Sequence, residues 1–200
     1  MHPERIAAVV LAAGASSRMG RNKLLLHVAG ETLVRRAVRH AAAAVEGEVV
    51  VVVGHDAAEV TPETARLRCR TVHNPAYARG MSSSLRVGLE SLDPATEAAV
   101  VVLADMPFVT ASMIATVAER GRRGAGLVAS VYGDDAVAPP ILYHRRFFAE
   151  LVALEGDGCG KRLVGKHPYE LEVVRWPAAG LTDLDLPEDY ERLRSELRLE

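Results

Sequence analysis

An apolar run, Ile6–Ala12, breaks off into the small residues Ala13-Gly14-Ala15-Ser16-Ser17, and two cations, Arg18 and Lys23, follow close behind. A short valine-rich run bounded in this way suits a strand buried on both faces, as in the middle of a parallel sheet. A turn of small residues at its end can aim successive N–H groups into one anion-binding hollow. Gly14 removes the side chain that would hold a ligand off the backbone. Arg18 brings a planar fork to that place and Lys23 a point charge. The spacing excludes two better-known phosphate loops. The P-loop needs Gly-x-x-x-x-Gly-Lys-Ser/Thr and the dinucleotide fingerprint needs Gly-x-Gly-x-x-Gly. Here the next glycine after Gly14 is Gly20, and Arg21 follows it.

Two further runs, Glu48–Val53 and Ala98–Ala104, have the same valine-rich character and end at Gly or Asp. Between the runs lie helical patterns. Thr32 is placed to cap a helix through Ala44, with Leu33, Val34, Ala37, Val38 and Ala41 at helical spacing. Thr110 is placed to cap another through about Arg122, and Ser82–Leu92 reads as a helix stopped by Asp93-Pro94. Strand–helix alternation of this kind implies a three-layer α/β/α fold with a mostly parallel sheet. Weaker strand candidates are Arg70–His73, Leu127–Val131, Pro140–Tyr143 and Glu170–Trp176, and Pro187–Leu199 reads as a closing amphipathic helix. The 200 residues suit one well-cored domain, and no repeat or linker divides them.

Composition narrows the partners. A net charge of -2 argues against broad nucleic-acid binding, which needs many cations, but leaves room for one small nucleotide. No apolar run approaches the roughly 20 residues of a membrane span. The N-terminus runs directly into the first strand, so no signal peptide is expected. Cys69 and Cys159 form neither a metal-spaced nor a redox pair, and a cytoplasmic, reducing setting follows.

In an open α/β sheet, ligands sit beyond the carboxyl ends of the strands. Asp105 in Leu103-Ala-Asp-Met-Pro107 stands at such an end, beside Gly14. Mg²⁺ binds through one or two carboxylates plus substrate phosphates, so a single aspartate there suits a hard cation. The alternative is an aspartate in a type I turn. Asn74-Pro-Ala-Tyr-Ala-Arg-Gly80-Met-Ser-Ser83-Ser84 reads as a loop entering a helix whose start offers free N–H groups. Its serines can donate to and accept from a base edge or ribose, or simply cap. Asp183 and Asp185 share one face of an extended segment before the last helix, where a second carboxylate would complete a divalent site. Gly156-Asp157-Gly-Cys-Gly-Lys161-Arg162 makes a polar, glycine-rich loop before a helix. His55 follows the second run and reads equally as part of a turn. Trp176 is expected to pack. No Ser/His/Asp or Cys/His arrangement stands out, so no covalent intermediate is expected.

Leu11-Ala-Ala-Gly-Ala-Ser-Ser-Arg-Met-Gly-Arg-Asn-Lys-Leu-Leu resembles the signature of the nucleotidyltransferases with the GT-A-like, nucleotide-diphospho-sugar transferase architecture. Within them it is most similar to the molybdenum cofactor cytidylyltransferases and their guanylyltransferase relatives. The resemblance implies a Mg²⁺-dependent transfer of a nucleoside monophosphate to a phosphate-monoester acceptor with release of pyrophosphate. It implies nucleotide binding by Leu11, Ala12, Ala13, Gly14, Arg18 and Lys23, with Arg18, Lys23 and Asp105 catalytic. It assigns base or ribose recognition to Gly80, Ser83 and Ser84, and the metal to Asp105 and Asp185, with Asp183 second. It assigns the acceptor to Pro140, Asp157 and Lys161. The family's Gly-Asp-x-Gly-Ala-Arg becomes Gly-Asp-Gly-Cys-Gly-Lys here, its Gly-x-Pro becomes Ala-Pro-Pro140, and His27 stands where proline is usual. The resemblance further implies CTP rather than GTP, since Ala13 stands where the guanylyltransferases tend to carry glycine. It implies molybdopterin as acceptor and a molybdoenzyme or its chaperone as recipient. A sugar phosphate or another phosphorylated small molecule remains open as acceptor, as does a nucleotide-binding protein without turnover.

Overall fold

The computed structural model describes residues 5–16, 20–156, 160–181 and 189–190. Its strands are β1 (Ile6–Ala12), β2 (His27–Val28), β3 (Glu31–Thr32), β4 (Val49–Val53), β5 (Arg70–His73), β6 (Ala98–Leu103), β7 (Leu127–Tyr132), β8 (Ala136–His144) and β9 (Leu171–Trp176). Its α-helices are α1 (Leu33–Ala44), α2 (Ala57–Glu63), α3 (Met81–Glu90), α4 (Ala111–Arg122), α5 (Phe148–Val152) and α6 (Lys161–Lys166). Seven strands form one sheet in the order β5-β4-β1-β6-β8-β7-β9, and β2 pairs with β3 in a small separate ribbon.

The apolar runs fail to alternate with polar residues because both faces of the sheet are covered. On one face Ala8, Val10, Ala12, Val51, Val53, Val100 and Val102 pack under Val34, Val38, Val60, Ile114 and Val117 of α1, α2 and α4. On the other, Val9, Leu11, Val50, Val52 and Val101 pack under Leu85, Leu89, Leu151 and Leu163 of α3, α5 and α6. The caps foreseen on α1 and α4 are present: Thr32 Oγ1 accepts from Arg35 N at 3.4 Å and Thr110 Oγ1 from Met113 N at 3.3 Å. A cap contributes about 1 kcal/mol. Each buried Leu or Val contributes about 1.5–3 kcal/mol, so packing, not capping, fixes where α1 lies. Helix α3 lies close on the sheet because of Gly88, where an added Cβ would stand 2.5 Å from Val9 Cγ1 and 3.0 Å from Val52 Cγ2.

One departure from a purely parallel sheet has a simple cause. Only Gly133-Asp134-Asp135 separates β7 from β8, too few residues for a crossover helix, so the two pair antiparallel. Strand β8 also runs antiparallel to β6. It is longer than the expected Pro140–Tyr143, because its two prolines sit beside a register shift at Ala129/Ser130. There Ser130 Oγ donates to Pro140 O at 2.7 Å and Tyr132 O–H to Pro139 O at 2.7 Å. Trp176 donates Nε1–H to Ser130 Oγ and packs against the core, as expected. The short helices α2 and α5 and the β2–β3 ribbon have no counterpart in the sequence reading, and the closing helix expected over 187–199 lies almost wholly outside the described residues.

Helix α1 carries one buried titratable group. His40 is 8% exposed and its Nδ1 lies 2.8 Å from Val109 O. Burial, reinforced by Arg36 and Arg39, pushes its pKa below the usual 6.5, although the Val109 carbonyl pulls the other way. The unfolded chain therefore binds a proton that the folded chain refuses, and stability falls as pH drops below about 6.5. His40→Asn keeps a donor for Val109 O and removes the titration. We expect its melting temperature to fall less steeply than that of the parent between pH 6.5 and 5, measured by thermal denaturation.

Candidate functional site

Strand β1 pairs level with both neighbours, Ala12 with Val53 and Leu11 with Leu103. The segments after β1, β4 and β6 consequently leave the same sheet edge side by side. A cavity of about 460 Å³ opens there. Leu11–Ser16 and Leu103 form its base, Lys23, Leu24 and Asp105 one wall, and Tyr77, Gly80, Met81 and Ser84 the other.

Lys23 is only 9% exposed, unusual for a lysine unless it is paired. Its Nζ lies 2.7 Å from Asp105 Oδ2. The turn that carries it, Lys23–Leu25, is capped by Asn22, whose Oδ1 accepts from Leu24 N at 3.0 Å. Ser16 Oγ accepts from Lys23 N at 3.1 Å, which ties this turn back to the small-residue loop. Asp105 sits in a segment held from above by α1: Arg36 Nε donates to Pro107 O at 3.1 Å and His40 Nδ1 lies against Val109 O. Ala104 N donates to Leu11 O at 3.1 Å, so the aspartate's turn is fastened to β1 as well.

Gly14 does not have the positive φ that would require glycine, and a Cβ added there meets nothing within 4 Å. The space above it holds no protein atom. Gly80 is different: with φ +103° it is the N-cap of α3 and needs glycine for its backbone.

The opposite wall is organised by Asn74, fully buried, which the sequence reading quoted without assigning it a role. Its Nδ2 donates to Ser83 Oγ and Ser84 Oγ, each at 2.9 Å, and its Oδ1 accepts from Ala76 N at 2.9 Å. One amide thus sets both the loop and the first turn of α3. Ser84 faces the cavity, but Ser83 does not: it lines a second hollow with Arg79, Arg86 and Gly156, and donates to Gly80 O. Tyr77, Met81 and Leu24 line the cavity although nothing in the sequence singled them out. An isolated aromatic or aliphatic residue in a loop carries no periodic signal.

The remaining expectations divide. Leu11, Ala12, Ala13 and Gly14, expected at the nucleotide, line the cavity. Pro140 is buried on β8, one residue beyond the Val101–Ile141 pair and so toward the same edge. Lys161 is exposed at the start of α6 and is not among the residues lining the cavity. Arg18, Asp157, Asp183 and Asp185 lie outside the described residues. Tyr190 donates its O–H to His27 O at 2.9 Å and packs against Val28 and Leu33, as does Phe108, three residues from Asp105. Among the described residues no three His, Cys, Asp or Glu side chains gather into a metal cluster. One partly exposed carboxylate facing an open cavity nevertheless fits a cation that takes most of its other oxygens from substrate phosphates and water. No helix among the described residues is long and apolar enough to cross a membrane.

A small-residue loop, a buried lysine and a carboxylate thus meet at one edge of a mostly parallel sheet. The chain belongs to the family of MobA-like NTP transferase domains, whose model matches residues 8–171. Among solved structures it is similar to a Mycobacterium sp. strain JC1 homologue of Mycobacterium tuberculosis Rv0371c (32% identity, TM-score 0.84, 98% of this chain and 99% of that one). It is also similar to Rv0371c of M. tuberculosis H37Rv solved in complex with manganese (26%, TM-score 0.75, 96% and 98%). Among curated proteins it is 44% identical over 95 residues to the bifunctional IPC transferase and DIPP synthase of Rubrobacter xylanophilus, covering 44% of this chain and 22% of that enzyme. It is 25% identical to the molybdenum cofactor cytidylyltransferase of Escherichia coli over 92% of this chain and 93% of that protein. The chain spans only 22–34% of the length of the bifunctional enzymes that head its curated relatives.

Gly14→Ala separates folding from binding. The added methyl meets no protein atom, so the melting temperature should stay within about 2 °C of the parent, in the range of a substitution that breaks no packing. Calorimetric titration should show weakened nucleotide binding, because the methyl occupies space over the loop.

Proposed function

We propose that the chain, 1–200, is one nucleotidyltransferase domain that moves CMP from CTP to the phosphate monoester of molybdopterin and releases pyrophosphate in the cytoplasm. The observation that carries this reading is the Lys23 Nζ–Asp105 Oδ2 contact of 2.7 Å on the wall of an open 460 Å³ cavity at the sheet edge. It supplies a fixed cation and an adjoining carboxylate where a triphosphate over Gly14 would lie.

In this reading the triphosphate runs over Leu11–Gly14 toward Lys23 and Arg18, and the base enters between Ala13 and the Gly80–Ser84 turn. Ala13 Cβ already lies close under Gly54 and Tyr77, since a Cβ added at Gly54 would stand 2.8 Å from it. A methyl at Ala13 in the cavity lining, where glycine would leave more room, supports the smaller pyrimidine. Ser83 acts through Asn74 and not by direct contact with the base. Asp105, with Asp185 or Asp183, would hold Mg²⁺; the contacts of Tyr190 with His27 O and the Val28–Leu33 cluster support this choice. When bound, the ion supplies Lewis-acid neutralisation of phosphate charge. The acceptor lies toward Pro140, Asp157 and Lys161. Its phosphate attacks the α-phosphorus as it stands, so little general-base help is needed. The obstacle is repulsion between anions, and Lys23 offsets it while holding the reactants in line.

A second reading keeps the chemistry and changes the acceptor to another phosphorylated small molecule. The 44% identity with the R. xylanophilus enzyme over nearly half of this chain favours it. The departures at Ala138 and Gly160-Lys161 from the pattern expected for molybdopterin transferases favour it too.

A thermal-shift screen of the four NTPs with Mg²⁺ is the first test. A ligand at 100 times its Kd adds about 2.7 kcal/mol, which for 200 residues raises the melting temperature by about 5–10 °C. CTP should give the largest shift. With molybdopterin and CTP, pyrophosphate release should fall by about 10²-fold or more in Lys23→Ala, the scale set by losing one oriented charge stabiliser. Undiminished turnover in that variant overturns the assigned role. Release only with a sugar phosphate or phosphorylated alcohol selects the second reading.

A further inference from the structure

We infer that Asp56 is a positioning residue for Lys23: its carboxylate fixes through Asn22 the turn on which the lysine is carried. The inference rests on the proposed contact between Lys23 and the nucleotide phosphates.

Four non-glycine residues among those described have positive φ, namely Ser16, Ala29, Asp56 and Arg66. L side chains enter that region at a cost and persist there only where their surroundings hold them. Two of the four send their side chains to the same turn. Ser16, at φ +49°, accepts from Lys23 N. Asp56, at φ +51°, accepts from Asn22 Nδ2 at 3.2 Å through Oδ2.

Asp56 is the N-cap residue of α2, yet it makes no cap hydrogen bond to that helix. An aspartate at such a position ordinarily caps its own helix. Here the left-handed backbone turns the carboxylate across to another segment, 34 residues earlier in the chain. Asn22 is used at both ends: Oδ1 secures the turn from within and Nδ2 anchors it to Asp56. His55 Nδ1 stands 2.8 Å from the same Asp56 oxygen. The His55 ring meets Tyr77 edge-on, with centroids 5.8 Å apart at 81°, and Tyr77 lines the cavity. The segment after β4 therefore links the lysine's turn to the wall proposed for the base. A lysine fixed in advance loses less conformational freedom when it engages phosphates.

The test uses CTP and cytidine as probes and needs no acceptor. Asp56→Gly removes the carboxylate and keeps the left-handed backbone free of strain. It should weaken CTP binding about tenfold, within the range of coupling between neighbouring residues, and leave cytidine binding unchanged. Asp56→Asn retains an oxygen for Asn22 Nδ2 and should recover most of the loss. In a Lys23→Ala background, Asp56→Gly should add nothing further, because the group it positions is gone. Equal weakening of CTP and cytidine, an effect that persists in the Lys23→Ala background, or no effect of Asp56→Gly overturns the inference. If Lys23→Ala alone leaves CTP affinity unchanged, it is the phosphate role of Lys23 that fails, a result separable from the others.

Discussion

The pairing of buried Lys23 with the partly exposed Asp105 sets the terms for everything around it. A lysine this buried is tolerated because a carboxylate meets it directly. Neither group alone would keep its place: removing one leaves an uncompensated charge at the edge of an apolar sheet. The two sides of the pair are also anchored independently. Asn22 and Ser16 hold the lysine's turn, while Arg36 and His40 of α1 hold the segment that follows the aspartate. The charges meet because separate elements bring each of them to one point.

That meeting point depends on sheet register. Side chains on β1, β4 and β6 face alternately to two covered faces, so a slip of one residue would exchange the faces and misalign the three loops. The two faces are packed by different helices, α1, α2 and α4 on one and α3, α5 and α6 on the other, which opposes such a slip. Core packing is in this sense the first determinant of site geometry, ahead of any polar contact. The antiparallel β7–β8 hairpin serves the same edge by carrying Pro139 and Pro140 toward it.

Much of this is legible in the residues themselves. Strand β1 matches Ile6–Ala12 and β5 matches Arg70–His73, and α1 and α4 begin after Thr32 and Thr110, because long apolar periodicity and capping residues are local signals. Gly14, Lys23 and Asp105 stand out because strand ends followed by small or charged residues leave a mark in the sequence. The braces around them do not. Asn74, Arg36, His40 and Asp56 act on residues nine to seventy-one positions away, and only the folded chain brings those partners together. Ser83 and Ser84 are adjacent in sequence, yet successive helical residues point about 100° apart. One therefore reaches the cavity and the other does not.

The wall formed by Tyr77, Gly80, Met81 and Ser84 comes from one stretch that runs from the loop after β5 into the first turn of α3, whereas the lysine and aspartate follow β1 and β6. In the proposed reading this stretch shares the base with Ala13, while the charged pair meets the phosphates. Under that proposal, changes confined to Tyr77–Ser84 reshape one side of the hollow and leave the lysine–aspartate contact in place.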